Sequence, residues 1–442
     1  MKLNTRRTLL VGFAFLAICA FWQMYDAIMP KILTNTFKVP ETASGVIMAA
    51  DNVIAVFLLP FFGGLSDRCK SPLGKRRPFI LVGTLSAVIL MMFLPIIDNS
   101  YFSAPMPIKL IGFIILLALV LISMGVYRSP AVALMPDVTP KPLRSRANAI
   151  INLMGAIGGV FYLVVASVLY PASASAVAHT NYLPVFLVIG GIMVIALLVL
   201  MLFVNEPKLS REQAEYENAH PEENLTKVNE NNKEVLPREV KKSLSFLLVS
   251  ISLWFIGYNG ITTWFTKFAE VEWNMNDGPA AQCLLVATVG AIASYIPVGN
   301  IASRIGRRKT IMFGVILLGS CFAAGFINTL FFNRFSYFLF VIFALVGVAW
   351  ASINVNSLPM VVEMCKGSDI GKFTGLYYTF SMSAQIITPI LAGALVQYVS
   401  YKLLFLYSAF FVGLAFITML FVRHGDSKIE SKKGLEAFDV EE

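Results

Sequence analysis

GGLSDRCKSPLGKRRPFILVG, residues 63–83, sets Asp67, Arg68, Lys70, Lys75, Arg76 and Arg77 between two apolar runs, AVFLLPFF (55–62) and FILVGTLSAVILMMFL (79–94). A soluble protein has little use for so greasy a frame around so charged a loop, whereas a membrane surface does. Apolar stretches of the length a bilayer requires, about 20 residues each, recur down the whole chain. The reading places them at about 8–29, 44–65, 78–97, 109–136, 147–170, 182–204, 243–266, 280–302, 310–330, 336–362, 373–398 and 403–423. The expected fold class is therefore an all-α membrane protein with twelve transmembrane helices. Composition agrees, since 57% of the 442 residues are hydrophobic and only 14% charged, against about 25% charged in ordinary soluble domains.

Positive charge stays on the cytoplasmic side of a membrane. With the N-terminus inside, the inner segments carry Lys2, Arg6 and Arg7, the cluster from Arg68 to Arg77, Lys141, Arg144 and Arg146. They also carry Arg304, Arg307, Arg308, Lys309, Lys366, Lys372, Arg423, Lys428, Lys432 and Lys433. The outer loops hold only Lys31, Lys38, Lys109, Lys267, Arg334 and Lys402. Both termini are expected in the cytoplasm, with the protein in the plasma or inner membrane. The net charge of +9 reads as this topological signal, not as a nucleic-acid footprint. The first apolar run is too long for a signal-peptide core and lacks a small-residue cleavage site, so it counts as a span. Cys19, Cys69, Cys283, Cys321 and Cys365 fall in spans or on the inner face, where disulfides do not persist. They show no metal spacing.

Residues 205–242 interrupt the pattern with a charged, Glu- and Asn-rich stretch. Its composition reads as a mostly disordered cytoplasmic linker with a short amphipathic end near 236. Asn224-Leu-Thr fits a glycosylation site but would face the cytoplasm. The expected organisation is a six-helix bundle over 1–204, the linker 205–242, a second six-helix bundle over 243–423, and a tail 424–442. The halves echo each other. GGLSDR (63–68) is matched by GNIASR (299–304), each followed by basic residues. Asp137 stands nine residues before Arg146, and Glu363 nine before Lys372.

Two parallel six-helix repeats with a substrate site between them are the major facilitator architecture. GGLSDRCKSPLGKRRPFI resembles the loop between spans two and three of those carriers. With ALMPDVTPKPLRSRANAI (133–150) and FTGLYYTFS (373–381), it resembles sucrose-type carriers and the related glycoside–pentoside–hexuronide cation symporters. The resemblance implies an inner gate built from Gly64, Asp67, Arg68, Arg76, Arg77, Asp137, Arg144, Arg146, Glu363 and Lys372. Gly63 and Gly64 would let helices approach closely, and Asp67 would pair with nearby cations. The second copy has Ser303 in place of Asp67, so its latch should be weaker.

Three charges fall inside spans: Asp26, Asp51 and Arg128. A central charge costs about 2.5–3.5 kcal/mol on insertion scales and needs a partner or a wet cavity. Asp51 lies about 10 Å in from one face and Arg128 about 12 Å from the other, leaving a gap of about 10 Å in a core of roughly 30 Å. The expectation is that Asp51 or Asp26 takes up a coupling proton while Arg128 tunes it, with Na+ as the alternative ion. An arginine in span four is tied to sugar binding in sucrose-type carriers, but there it stands about one turn nearer the aspartate than Arg128 does to Asp137.

Sugars need hydrogen-bond partners and aromatic faces. Candidates sharing helical faces are Trp22, Gln23 and Asp26; Asn148 and Asn152 with Gly155 and Gly159; Asn259 and Thr263; Trp350, Asn354 and Ser357; and Tyr377, Ser381, Gln385 and Thr388. Gly155 with Gly159, and Gly371 with Gly375, read as close-packing pairs. His179, His220 and His424 fall in loops or tails and are expected in solvent.

The resulting expectation is a secondary carrier importing a sugar or glycoside, such as a disaccharide, with protons by alternating access. Its expected partners are a small-molecule sugar and the lipid bilayer, with no nucleic acid; it is expected to be a monomer, with no cofactor and no metal. An exporter of drugs or metabolites with the same fold is the alternative. A sensor would want a soluble signalling domain. No HExxH, Ser/His/Asp set or phosphate loop supports an enzyme or an ATP-driven pump.

Overall fold

The computed structural model describes residues 4–140, 143–171, 179–219, 237–332, 336–364 and 370–426. Of the residues named above, Lys2, Lys141, His220, Asn224, Arg334, Cys365, Lys366, Lys428, Lys432 and Lys433 lie outside this set. The helices are α1 (Thr5–Lys31), α2 (Glu41–Asp67), α3 (Arg77–Ser103), α4 (Pro107–Asp137), α5 (Arg144–Leu169) and α6 (Leu183–Phe203). They continue with α7 (Glu206–Ala219), α8 (Arg238–Trp273), α9 (Asp277–Ile305), α10 (Arg307–Phe331), α11 (Phe338–Glu363), α12 (Ile370–Tyr398) and α13 (Leu404–Leu420). Among the described residues there is no strand, and 12 helical segments are long and apolar enough to cross a membrane. In hydrocarbon a helix satisfies its own backbone, which is why runs of this composition close into helices.

Local chemistry sets several boundaries. The Asn4 side chain caps α1 by accepting from the backbone N–H of Arg7 at 3.1 Å. Pro30 lacks the N–H that would continue the ladder, and the chain widens into a π-turn at Ile32–Thr36. Pro78 enters the first turn of α3, where its missing donor costs nothing. Gly306, at φ +99°, alone separates α9 from α10.

Contacts divide the chain into two compact units, one of Met1–Val39 with Ala50–Leu225, the other of Pro40–Ala49 with Thr226–Glu442. Each shows the same helix pairing. In the first, α1 packs on α5 and α6, and α3 on α4 and α6. In the second, α8 packs on α12 and α13, and α10 on α11 and α13. This repeats the internal echo seen in the sequence. The closest approach in the first unit is at Gly158, where a Cβ would stand 2.0 Å from the Leu16 carbonyl oxygen. The second unit is centred on rings: Trp254 and Trp264 are fully buried, and Trp273 stacks on Phe405 at 5.6 Å.

The segment after span six corrects the sequence reading. Residues Glu206–Ala219 form a helix held to the first unit: Arg7 pairs with Glu212 at 2.7 Å, and Ser210 and Gln213 donate to the carbonyls of Asp137 and Pro136 at 3.3 Å. Its polar composition misled because the carbonyls left open at the end of α4 supply partners that composition cannot reveal.

Candidate functional site

The basic hinge between α2 and α3 closes on Arg76. This side chain is buried, donates from Nε to Asp137 at 2.7 Å, and pairs also with Asp67. It reaches Ser66 and, at 3.2 Å, the Gly63 carbonyl oxygen. Burial disfavours the Arg76 cation, but Asp137 and Asp67 outweigh that and hold its pKa above the ordinary arginine value. Arg144 donates to the carbonyls of Pro136 at 2.9 Å and Thr139 at 3.2 Å, satisfying the end of α4. Arg77 donates to the Met201 carbonyl.

Arg68 is exposed and shows no ion pair among the described residues. Arg146 is exposed on α5 and has an interaction of its own. Gly64 meets nothing within 4 Å of a Cβ, whereas Gly63 would meet Ser129 Oγ at 3.0 Å. Only the first of the two glycines faces α4.

In the second unit Arg307 pairs with Glu363, in the place that Arg76 and Asp137 hold in the first. Ser303, standing where Asp67 would, bonds the Asn300 carbonyl of its own helix at 2.8 Å. Arg307 thus pairs with one carboxylate where Arg76 pairs with two. Lys372 lies on α12, but its side chain is outside the described set.

Sequence reasoning missed Glu206. Its carboxylate is buried and accepts backbone N–H bonds from Lys75 at 2.7 Å, Arg76 at 3.0 Å and Arg77 at 3.0 Å. A carboxylate there satisfies open donors and the positive end of α3. Gly74, at φ +111°, would carry a Cβ only 2.3 Å from Glu206 Oε2, so the tight turn and the acid require each other. The Asn-Glu-Pro end of span six was the one available signal, an acid immediately before a helix-starting proline.

Within the membrane-spanning part of the first unit, α1, α2 and α4 bring Trp22, Asp26, Asp51 and Arg128 together. The Arg128 guanidinium lies over the Trp22 ring, 5.9 Å from its centroid. Asp51 lies in electrostatic range of both Arg128 and Asp26. Asp51 Oδ1 accepts from Asn52 N at 2.6 Å and Nδ2 at 2.9 Å. No ion pair joins Asp51 and Arg128 within 4 Å among the described residues. All three charged side chains are half-buried. Beside them, Trp22 Nε1 and the Tyr25 hydroxyl are buried with no hydrogen-bond partner among the described residues. Gln23, Asn148 and Asn152 are half-buried in the same unit, and Gln23 Oε1 lies 3.6 Å from where a Gly159 Cβ would be.

In the second unit, Trp350 and Tyr258 stack face to face at 3.7 Å and 6°, so each ring has one face already covered. Asn259 Nδ2, on the next residue of α8, is buried and lacks a partner among the described residues. Thr263 and Asn354 are nearly buried, and Gln385 half-buried. Ser357 and Tyr377 are different: both are buried, and they bond each other at 3.2 Å. Thr388 is spent on the Ala384 carbonyl at 2.6 Å. Their polar stripe glues α11 to α12. The glycine pairs also divide. Gly155 would meet Cys19 Sγ at 2.9 Å, but Gly375 meets nothing within 4 Å.

The histidine expectation is overturned for two residues. His179 is half-buried, stacked on Phe102 with centroids 4.5 Å apart, and His424 Nδ1 lies 2.8 Å from Ser243 Oγ.

Comparison with known proteins gives the same architecture. A 138-residue stretch, 28% of this chain, is 31% identical to the sucrose transport protein SUC3 of Arabidopsis thaliana. It spans 23% of that protein, so the chain matches about a quarter of the length of this curated relative. The crystal structure of a D-xylose-proton symporter superposes with a TM-score of 0.68 at 14% identity, covering 95% of this chain and 98% of the other. The nucleoside transporter NupG gives 0.67 at 14%, covering 94% and 100%. At these identities the likeness is one of fold. The family model described as Major Facilitator Superfamily matches residues 11–295 and 274–440. Together with the repeated helix pairing and the 12 candidate spans, that match makes the chain a multi-pass integral membrane transporter belonging to the Major Facilitator Superfamily.

Proposed function

We propose that the protein imports a sugar or glycoside, such as a disaccharide, together with protons by alternating access. Both termini face the cytoplasm, in the plasma or inner membrane. The observation that carries this reading is the cluster in the first unit: unpartnered Trp22 Nε1 and Tyr25 Oη beside Arg128, with Asp51 and Asp26 in range. A buried donor without a partner costs about 1–3 kcal/mol, and a polyhydroxylated substrate supplies the missing acceptors. Within the second unit, Asn259 Nδ2, unpartnered among the described residues, is a further donor of the kind sugar hydroxyls accept from.

Asp51 or Asp26 carries the coupling proton in this reading. Arg128 favours the ionised acid, and substrate engaging the guanidinium weakens that effect, so loading of sugar and proton are linked. Membrane potential contributes roughly 2.3 kcal/mol per charge per 100 mV, which supports about 50-fold accumulation per proton. The similarity to a sucrose carrier and to a xylose–proton symporter supports the substrate class.

The test is uptake into proteoliposomes with a panel including sucrose, xylose and alkyl glycosides, under imposed pH or Na+ gradients. Accumulation of a saccharide driven by the pH gradient, abolished in Asp51→Asn or Asp26→Asn, supports the reading. Absence of uptake of every saccharide under both gradients overturns it. Pumping that follows only the Na+ gradient overturns the proton assignment.

A further inference from the structure

We propose that His179 and Asp98 form a proton-binding site of their own, at the end of the first unit opposite the basic hinge, separate from the Asp26–Asp51 pair. Proton uptake by the His179 imidazole creates the cation that pairs with the Asp98 carboxylate, between the segment leading into α6 and the end of α3.

Asp98 is 0% exposed, and the side-chain donor shown for it among the described residues is the Thr36 hydroxyl, outside good hydrogen-bond geometry. A buried carboxylate so little served by donors needs a cation beside it. The one ion-pair partner shown for it is His179, whose Nε2 lies 3.5 Å from Asp98 Oδ2.

The surrounding bonds fix which nitrogen of the neutral ring carries hydrogen. The Leu183 backbone N–H can only donate, and it does so to Asn181 Oδ1 at 3.0 Å. Asn181 Oδ1 therefore also accepts from Asn99 Nδ2, at 2.9 Å. That leaves Asn99 Oδ1 as the acceptor facing His179 Nε2 at 2.8 Å. Nε2 is thus protonated, and Nδ1, which faces Thr36 Oγ1 at 3.5 Å, is the atom that takes up the proton. In the imidazolium, the Nε2–H directed toward Asn99 and Asp98 becomes charge-assisted.

The other charged and titratable groups of the packed elements are otherwise engaged or exposed. Lys109, at the start of α4, donates to the carbonyls of Ser100 and Ala104, each at 2.8 Å. Lys31, near the end of α1, is buried with a partner of its own. Lys38, beyond the π-turn, is exposed. Tyr101 packs its ring on Phe37, and the Tyr170 hydroxyl donates to the Asn181 carbonyl at 3.1 Å. Burial holds the His179 pKa below its ordinary value, so proton uptake belongs to the acid side of neutrality and depends on the anion opposite.

The full-length chain contains three histidines, His179, His220 and His424, so 15N-histidine NMR in nanodiscs resolves the site directly. His179→Gln identifies its signal. In Asp98→Asn, which keeps the shape and removes the charge, the His179 midpoint is expected to fall by about one pH unit or more. An unchanged midpoint overturns the proposal. A second measurement stands apart from that signal: because the folded His179 pKa lies below its free value, acidification is expected to lower the melting temperature of the wild type relative to His179→Gln, and to lower that of Asp98→Asn more steeply still. Identical acid profiles for all three overturn it equally. Asp51→Asn should leave the His179 midpoint as in the wild type, so this site and the coupling assignment fail separately.

Discussion

Glu206 caps the helix that begins at Arg77: its Oε2 accepts that residue's backbone N–H at 3.0 Å, across more than a hundred residues of chain. The same carboxylate holds the N–H groups of Lys75 and Arg76. One acid thereby joins the start of α7 to the turn that presents Arg76 to Asp67 and Asp137.

Removing that acid should loosen the hinge. Glu206→Ala leaves several buried amides unpaired and is expected to cost about 1.5–3 kcal/mol, the range for hydrogen bonds to charged groups. Glu206→Gln, which keeps one acceptor oxygen, should lose less. Thermal melts of the purified variants in detergent check both, and equal melting temperatures for wild type and Glu206→Ala would refute the capping role.

The two carboxylates on Arg76 should contribute unequally. Asp67 keeps 59% of its side chain exposed and Asp137 34%. Asp67→Asn should therefore cost at most about 1 kcal/mol, as solvent-screened pairs do, and Asp137→Asn more. Because folding raises the Arg76 pKa, its pairing contributes fully below the ordinary arginine value and is lost only as pH rises through the higher folded value. Melting temperature should consequently show no Arg76-dependent loss up to about pH 10, which Arg76→Gln compared with wild type will reveal.

Glycine substitutions should separate contact from sequence pattern. Gly158→Ala drives a Cβ into the Leu16 carbonyl and should destabilise by about 1–3 kcal/mol, the usual cost of overpacking. Gly64→Ala and Gly375→Ala meet open space and should be neutral in thermal melts. A reversed order would mean that the α1–α5 approach is not rigid.

Polar residues of the candidate site should also separate by readout. Trp22→Phe keeps a ring under Arg128 but removes the unpartnered Nε1. It is expected to raise the KM for the transported saccharide about 3–10-fold, equivalent to roughly 0.7–1.4 kcal/mol. Asn259→Ala should behave similarly. Ser357→Ala should instead lower the melting temperature and leave KM unchanged, because that hydroxyl is committed to Tyr377.

The number and order of the spans, the charged hinge and the relation between the halves were legible in the residues themselves. A bilayer demands about 20 apolar residues per crossing, and that demand is met by local composition before anything packs. Arg76 and Asp137 were each readable as gate residues from the resemblance, but their pairing was not: the spacing that recurs in both halves joins Asp137 to Arg146 and Glu363 to Lys372, whereas the ion pair on Asp137 comes from Arg76. What composition could not disclose is which polar atoms were already used. Ser357, Tyr377 and Thr388 look like cavity walls along a helical face but spend their hydroxyls on neighbours, while Trp22 Nε1 and Asn259 Nδ2, of the same chemical kind, go unpaired. Glu206 and His179 lie in stretches that read as solvated, yet each meets its partner only after distant helices converge. Hydrogen bonding and ion pairing act over about 3–4 Å in space and are indifferent to separation along the chain, so tertiary structure alone decided those roles.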